Sequence, residues 1–333
     1  MNTGHPKVTV VIPAYNAEAT IDQCLNALKD QTVSSDIYEI IFVDDGSTDS
    51  TNQKVEYHQA VRLYSQANMG PAMARNYGAE RARGEILLFI DSDCVPKIDW
   101  IEHMISPFSR GDIVGVKGAY LTNQQSLVAR FVQLEYEDRY DRMMREKYID
   151  FIDTYSAGYR RDVFLTNGGF DKIFSTSSVE DQEFSFRLAK QGLKMVFAPE
   201  AKVYHLGHSD SLISYFRKKY KIGYWKVLVH QQHPDKLISD SHTPQILKLQ
   251  IIMVGLGVIL LIFGFINPIF IWSDILVLFA FLLSTIPFIS KAWTKDKAVA
   301  IIAPFLLLIR SFALGFGLCA GIIKNRWIRL GTN

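Results

Sequence analysis

The first third of the chain alternates short apolar runs with stretches in which apolar residues recur at helical spacing. Four runs of strand length lie at residues 8–12, 39–43, 61–64 and 86–90. Between the first two, one helix face is marked by apolar residues at i, i+3, i+4 and i+7: Ile21, Cys24, Leu25 and Leu28. Strands that alternate with helices predict an α/β fold with a mixed, mostly parallel sheet flanked by helices.

The same alternation continues to residue 230, with predicted strands at 113–117 and 195–197. A helix predicted at 126–147 is dense in charge, and we expect a solvated charged face there. Another helix begins at Glu180 with acidic residues in its first turn, as the helix dipole favours. The helix predicted at 212–229 mixes basic and apolar residues, which favours a position in the headgroup plane of a membrane over a plain surface helix.

Residues 246–323 are almost continuously apolar and predict an all-α membrane domain. The segment at 249–266 is long enough to span a bilayer, the one at 275–289 is slightly short, and the one at 298–323 contains Arg310. Lysines after the second segment predict a cytoplasmic turn there. A basic tail at 324–329 should also lie inside, so a re-entrant or interfacial last segment is favoured over a third span, although three spans stay open.

Composition sets broad limits on this organisation. A net charge of +2 gives no strong case for a nucleic-acid partner, and three scattered cysteines indicate neither a disulfide framework nor a zinc site. We expect one globular domain at 1–230, divided into halves at 1–112 and 113–230. The first residues contain no apolar run, so we expect no signal peptide and a cytoplasmic location for this domain, with the chain anchored in the inner membrane.

Polar loops follow three of the predicted strands, which is where open α/β sheets bind ligands. The strand at 86–90 leads directly into Asp91 and Asp93, and this spacing suits a divalent cation such as Mg²⁺ or Mn²⁺ bound together with substrate phosphates. Neither a G-x-G-x-x-G nor a G-x-x-x-x-G-K-[ST] loop is present to hold phosphate. A metal ion would therefore have to neutralise it.

At this point the residues resemble glycosyltransferase family 2, which has the GT-A fold. The resemblance spans residues 7–230 and is carried by four motifs in register: Val11-Ile12-Pro13-Ala14-Tyr15-Asn16, Val43-Asp44-Asp45-Gly46-Ser47-Thr48-Asp49, Asn68-x-Gly70-x-Ala72-x-x-Arg75-Asn76-x-Gly78 and Asp91-Ser92-Asp93. It implies that Pro13 and Tyr15 flank the base of a nucleotide sugar, with Tyr15 stacking on it. It also implies that Asp45 accepts a hydrogen bond from the base or ribose and that Arg75 lies near the diphosphate.

The resemblance further implies a metal site and a catalytic base. Asp91 would contact ribose or metal, Asp93 would bind the metal, and His205 would complete the metal shell, with His208 as the second choice. Asp181 would be the base that removes a proton from the acceptor hydroxyl.

Two further side chains are assigned supporting roles in the same half. Glu180 would orient the loop that carries the base, and Arg217 or a neighbouring lysine would meet the diphosphate of a lipid-linked acceptor. The resemblance makes residues 1–112 the nucleotide-sugar donor half and residues 113–230 the acceptor half, and both assignments lie in the acceptor half.

These observations favour a metal-dependent, inverting glycosyltransferase. The expected donor is a UDP-sugar, and the expected acceptor is a lipid-linked or glycolipid hydroxyl used in surface polysaccharide or glycolipid synthesis. One alternative is transfer to a polyprenyl phosphate. An alternative of another class is a non-catalytic membrane scaffold that keeps the GT-A sheet, and the acidic residues Asp91, Asp93 and Asp181 argue against it.

Overall fold

The structure is a computed structural model that describes residues 6–174, 179–237 and 240–330, apart from the side chains of 325–330. The chain divides into two compact units. The first unit comprises Met1–Asn123, Tyr140–Gly207 and Asp240–His242, and the second comprises Gln124–Arg139, His208–Ser239 and Thr243–Asn333. The division at residue 230 expected from the sequence stays a prediction.

The first unit is built on one eight-stranded sheet in the described residues. Its strands are β1 Val8–Ala14, β2 Tyr38–Asp44, β3 Val61–Ser65, β4 Ile86–Ile90, β5 Cys94–Pro96, β6 Ile113–Leu121, β7 Ser156–Arg160 and β8 Lys194–His205. They are ordered β3-β2-β1-β4-β7-β6-β8-β5. The first four in this order are parallel, β7 is antiparallel to both β4 and β6, and β5 is antiparallel to β8. The predicted GT-A-like class is confirmed.

Helices cover this sheet and continue into the second unit. They are α1 Ile21–Lys29, α2 Thr51–Glu56, α3 Pro71–Arg81, α4 Trp100–Ile105, α5 Leu127–Met143, α6 Arg161–Thr166, α7 Glu180–Lys190, α8 Leu212–Gln232, α9 Gln245–Gly264, α10 Ile269–Lys295 and α11 Lys297–Leu330. The four apolar residues predicted to share a face of α1 are all buried. Helix α7 begins at Glu180, as its acidic first turn predicted.

The central strands are apolar because both of their faces are covered. All five side chains of β4 are buried, with 0–4% of their surface exposed, and β1 is buried throughout. Full burial of one such side chain contributes about 1.5–3 kcal/mol. Gly84 precedes β4 where a Cβ would lie 2.5 Å from the carbonyl carbon of Val8, so only glycine allows this approach between the two strands.

The second unit is helical, and three of its helices are long and apolar enough to cross a membrane. The sequence placed the second apolar segment at 275–289 and slightly short of a span. Helix α10 instead extends on both sides of that segment and has 27 residues. Helix α11 has 34 residues and continues through Arg310, so the chain does not reverse direction at that residue.

One expectation for α5 is wrong. We predicted that its charged residues would form a solvated face, but Glu135 is only 3% exposed. Its neighbour Glu137 keeps a quarter of its side-chain surface in solvent. The difference arises because Glu135 lies on the side of α5 that packs against other helices of the second unit.

Candidate active site

The loops after β1, β2 and β4 and the start of α3 enclose a cleft of about 260 Å³ in the first unit. Its lining contains every donor-side residue that the sequence singled out, together with neighbouring residues: Pro13, Ala14, Tyr15, Asp45, Pro71, Arg75, Asp91, Ser92 and Asp93. Tyr15 is 51% exposed, so its ring is free to stack on a planar ligand. Parallel strands end at the same edge of the sheet, which is why segments far apart in sequence meet here.

Arg75 lies at the back of this cleft with only 2% of its surface exposed. Its guanidinium donates to Asp91 Oδ1 at 2.7 Å and to Glu180 Oε1 at 3.1 Å, while its Nε has no partner among the described residues. The arginine therefore connects α3, the end of β4 and the start of α7. The two carboxylates balance its charge, so the guanidinium is buried without being left unpaired.

Asp45 is held by the chain's own donors. Its Oδ1 accepts from the Met69 N–H and from Gln66 Nε2, and its Oδ2 accepts from the Gly70 N–H, each at 2.8 Å. A carboxylate offers about four acceptor positions, so roughly one remains for a ligand. The residue therefore fixes the loop that leads into α3, and its predicted contact with a base or ribose stays a prediction.

Asp93, which lines the cleft, and His205, which is buried beside it and is not part of the lining, form the pair best suited to a metal ion. Asp93 Oδ2 lies 3.3 Å from His205 Nε2, and with Cys94 they form a group whose ligand atoms all lie within 4.8 Å of one another. A Cβ on Gly207 would lie 2.6 Å from Asp93 Oδ2, so the glycine leaves room for this carboxylate. Carboxylate oxygen and imidazole nitrogen are both common ligands of divalent metals.

Cys94 and Asp91 differ from that pair. Burial, reinforced by the nearby aspartates, raises the pKa of the Cys94 thiol well above its ordinary value, so it stays protonated and is a poor ligand. Asp91 lies outside the group of three and directs one oxygen at Arg75. Its predicted role at the metal stays a prediction.

Asp181 lies in the first turn of α7 and accepts hydrogen bonds from the N–H groups of Gln182 at 2.8 Å and Thr154 at 3.3 Å. Burial raises the pKa of its carboxyl to about 7, and the negative charge of Glu180 acts in the same direction against Arg75. A base whose pKa lies near neutral pH can accept a proton and still be largely deprotonated when the reaction starts. Asp181 is not among the residues that line the cleft, and its predicted role as the base stays a prediction.

The remaining predicted residues lie in the second unit. His208 is buried there, with a ring nitrogen 3.3 Å from Gln133 Oε1 and its ring stacked on that of Tyr136. Arg217 is exposed on α8. The predicted contact of Arg217 with an acceptor diphosphate stays a prediction, and so does the role of His208 as a substitute ligand.

A buried polar chain behind the site was not anticipated. Lys117 on β6 is completely buried, pairs with Asp153 and donates to the Tyr155 hydroxyl at 3.0 Å. The Tyr155 ring stacks on Tyr120, whose ring lies 4.6 Å from that of His205. The available signal was a lysine inside an apolar strand run, since a buried lysine needs a partner.

Comparison with known proteins agrees with this geometry. The family model described as "Glycosyl transferase family 2" matches residues 9–166. Glycosyltransferase AglE of Haloferax volcanii is 38% identical over 122 residues, which is 34% of this chain and 40% of that protein. Putative glycosyltransferase EpsH of Bacillus subtilis is 29% identical over 227 residues, 64% of each protein. The chain thus spans less than two thirds of either relative's length.

One solved structure covers nearly the whole chain. It is the mannosyltransferase PcManGT from Pyrobaculum calidifontis in complex with GDP-Man and Mn²⁺, with a TM-score of 0.58 and 20% identity over 98% of this chain and 88% of the other. At this identity the likeness establishes a shared fold.

Proposed function

We propose that this chain, whose residues 9–166 match the glycosyl transferase family 2 model, is a metal-dependent, inverting glycosyltransferase using a nucleotide-diphosphate sugar. The donor we propose is a UDP-sugar, and the acceptor is a hydroxyl of a lipid-linked or glycolipid substrate. The observation that carries the proposal is the meeting of Tyr15, Arg75 and Asp93 in one cleft. These side chains supply an aromatic platform, a cation and a metal-binding carboxylate.

On the donor side, the exposed ring of Tyr15 suits stacking on the base, and Pro13 limits the pocket beside it. Asp45 holds the loop at 66–70 in place and offers its remaining acceptor position to the nucleoside. Arg75 lines the same cleft near the proposed position of the diphosphate, with its charge shared between Asp91 and Glu180. The GDP-Man complex of the similar mannosyltransferase supports a nucleotide sugar as the class of donor.

A divalent metal fits the residues present. Asp93 and His205 would hold it, because their oxygen and nitrogen atoms already converge and Gly207 keeps the space beside Asp93 free. When bound, Mn²⁺ or Mg²⁺ would neutralise the negative charge that develops on the departing nucleoside diphosphate. The Mn²⁺ in the similar mannosyltransferase structure supports this class of cofactor.

Asp181 supplies the base that the reaction requires. An alcohol is a weak nucleophile until its proton is removed, and the Asp181 carboxylate would take that proton as the oxygen attacks the anomeric carbon. The bond from that carbon to the diphosphate breaks as the new glycosidic bond forms. A single displacement of this kind inverts the configuration of the sugar.

Membrane attachment supports the proposed class of acceptor. The apolar helices α9 and α10 leave most of their surfaces exposed, as helices in contact with lipid do. An acceptor with a lipid tail would be reached at the membrane surface, and we place the catalytic unit on the cytoplasmic side. Polysaccharide or glycolipid synthesis is the process that fits this chemistry.

The proposal is tested by donor screening with membranes that contain the full chain, either wild type or Asp181→Asn. Wild type should release nucleoside diphosphate from at least one nucleotide sugar in the presence of Mn²⁺ and acceptor lipid. The Asp181→Asn variant should bind the same donor but transfer at least about a hundredfold more slowly. Asp162→Asn, which changes an exposed acid on α6, serves as the matched control and should behave as wild type.

The two alternatives predict different results in the same experiment. A scaffold would release no nucleoside diphosphate with any donor. Transfer to a polyprenyl phosphate would proceed nearly as fast in Asp181→Asn as in wild type, because a phosphate oxygen is already deprotonated and needs little help from a base.

A further inference from the structure

A buried ionic cluster joins four helices of the second unit. Glu135 of α5 accepts from Arg310 of α11 at 2.9 Å and from Lys219 of α8 at 2.9 Å. Arg310 also donates to Gln250 Oε1 of α9 at 2.7 Å, and Tyr215 donates to Glu135 at 3.0 Å. The side chains of the three charged residues are at most 10% exposed. Arg310 therefore does not face lipid, although it lies near the middle of an apolar helix.

Helix α11 also packs against the backbone of α8. A Cβ added to Gly317 would lie 2.1 Å from the carbonyl oxygen of Tyr220, and one added to Gly321 would lie 2.5 Å from that of Tyr224. On the other side, a Cβ on Gly223 of α8 would lie 2.4 Å from the carbonyl oxygen of Leu314. Small residues spaced in this way let two helices approach closely. The second half of α11 thus packs in close backbone contact with α8.

Because α11 packs against α8, the basic residues of α8 limit how deep α11 can lie in a bilayer. Helix α8 carries a set of basic residues that would be costly to place in hydrocarbon: Arg217, Lys218, Lys219, Lys221 and Lys226. In the most apolar stretch of α11, half of the residues are buried inside the protein, compared with 17% in the corresponding stretch of α9 and 11% in that of α10. Two of these helices therefore have surfaces suited to lipid, whereas α11 is covered largely by protein.

The polar contacts of α11 and of the turn before it lie near one end of the α9–α10 pair. Arg310 meets α9 at Gln250, five residues after its start at Gln245, a rise of about 8 Å. Near the turn between α10 and α11, Asp296 pairs with Arg130 at 2.6 Å and Lys291 with Asp138 at 3.6 Å, both partners on α5. Helices α5 and α11 thus contact the α9–α10 pair at the end where Lys291 lies.

We propose that α8 and the second half of α11 form a platform that lies on the anionic headgroup layer of the membrane, so that the chain crosses the bilayer only twice, through α9 and α10. The glycine contacts and the Glu135 cluster hold the two platform helices together. The basic tail then lies on the same side as the lysines at the end of α10, as the distribution of positive charge requires.

The exposed surface of the platform has the composition that this position needs. Ile213 and Tyr220 are exposed on α8, and Phe316 and Ile323 on α11, between 36% and 65% of their surfaces. Basic side chains lie exposed beside them: Arg217, Lys218 and Lys324. Apolar groups that enter the acyl boundary, with cations at phosphate level, are typical of helices lying in the membrane interface.

The first experiment reads the side of the membrane in the full chain. Cys319 is exposed whereas Cys24 and Cys94 are buried, so Cys319→Ser gives a background that should not react with a membrane-impermeant maleimide. Into it go single changes Asn267→Cys, between α9 and α10, Thr294→Cys, at the end of α10, and Asn333→Cys, at the chain end. In intact cells only the Asn267→Cys protein should be labelled, and the other two should react after permeabilisation. Labelling of Asn333→Cys from outside would overturn the proposal.

The second experiment measures depth at Cys319, the native exposed thiol on α11. A spin label there, in vesicles of phosphatidylcholine and phosphatidylglycerol, should be accessible to a polar relaxation agent, as headgroup-level sites are. Accessibility to dissolved oxygen alone would place Cys319 in the hydrocarbon and contradict a surface platform.

The third experiment tests the packing of α8 against α11. Gly317→Leu should lower the thermal unfolding temperature in detergent, because its side chain would meet the α8 backbone. The matched change Gly255→Leu on α9, where a Cβ would have no atom within 4 Å, should leave it unchanged. Equal unfolding temperatures for the two variants would remove the packing on which the platform depends.

Discussion

Asp91 and Asp181 are both aspartates of the first unit, but their surroundings give them different chemistry. Asp91 is paired with the buried guanidinium of Arg75, which fixes the orientation of its carboxylate. Asp181 accepts hydrogen bonds from backbone N–H groups, is partly buried and has Glu180 beside it. Their surroundings thus make Asp91 a structural partner of Arg75 and Asp181 a group that can exchange a proton near neutral pH.

The raised pKa of Asp181 should also be visible in stability. The folded protein holds this proton up to about pH 7, whereas the unfolded chain releases it near pH 4, so ionisation of Asp181 lowers the free energy of unfolding as pH rises between these values. Asp181→Asn is neutral throughout and escapes this loss. Its unfolding temperature relative to wild type should therefore increase from pH 5 to pH 8. A difference that stays constant over this range would contradict the raised pKa.

The metal assignment can be tested by direct binding. Asp93→Ala and His205→Ala should each weaken Mn²⁺ binding in the presence of UDP by at least about tenfold, because each removes one of two converging ligand atoms. Isothermal titration of the purified full chain measures this. His103→Ala is the matched control, since that histidine pairs with Asp99 on the surface. Unchanged affinity in Asp93→Ala would reject that ligand.

At the scale of elements, α5 shows how one helix can serve two environments. Its exposed acids pair with lysines near the end of α10, whereas Glu135 is enclosed between α8 and α11. Burial alone would raise the pKa of the Glu135 carboxyl, but Lys219, Arg310 and Arg139 together lower it to about 2. The charge run in the sequence indicated only a solvated face, because the partners of Glu135 lie 84 and 175 residues further along the chain.

Removal of one carboxylate from this cluster should be costly. Glu135→Ala would leave two buried cations without their shared partner, and breaking a buried pair in this way costs about 3–5 kcal/mol. Glu137→Ala removes a more exposed partner of Lys295 and should cost less than about 1 kcal/mol. Unfolding of the two variants in the same detergent measures the difference. Equal losses of stability would show that the cluster does not hold the helices together.

At the scale of the whole molecule, the sequence predicted the parallel strands β1 to β4 better than the short strand β5 and the antiparallel strand β7. The runs that became β1, β2, β3 and β4 were recognised because each is apolar and bounded by polar loops. The strands β5 and β7 were not recognised, because β5 has only three residues and the five residues of β7, Ser156–Arg160, do not form an apolar run. The cleft was predicted because strand ends gather ligand-binding residues, whereas the buried chain through Lys117 depends on side chains that only the fold brings together.

The apolar helices predict how the full chain is held in membranes. Alkaline carbonate and high salt should leave the protein in the membrane fraction, and only detergent should release it, because α9 and α10 expose large apolar side chains such as Ile252 and Trp272. Immunoblots of the sedimented and soluble fractions after each treatment give the result. Release by carbonate would show that neither helix crosses the bilayer.

The central proposal is a cation near the end of β4 that faces the Asp181 carboxylate of α7 across the bound sugar. The most direct measurement is anomalous diffraction from crystals of the full chain soaked with Mn²⁺ and a uridine diphosphate sugar. The account predicts a manganese peak bonded to Asp93 and His205, in contact with the diphosphate, and Asp181 facing the anomeric carbon. A manganese peak elsewhere, or a sugar that Asp181 cannot reach through an acceptor hydroxyl, would contradict it.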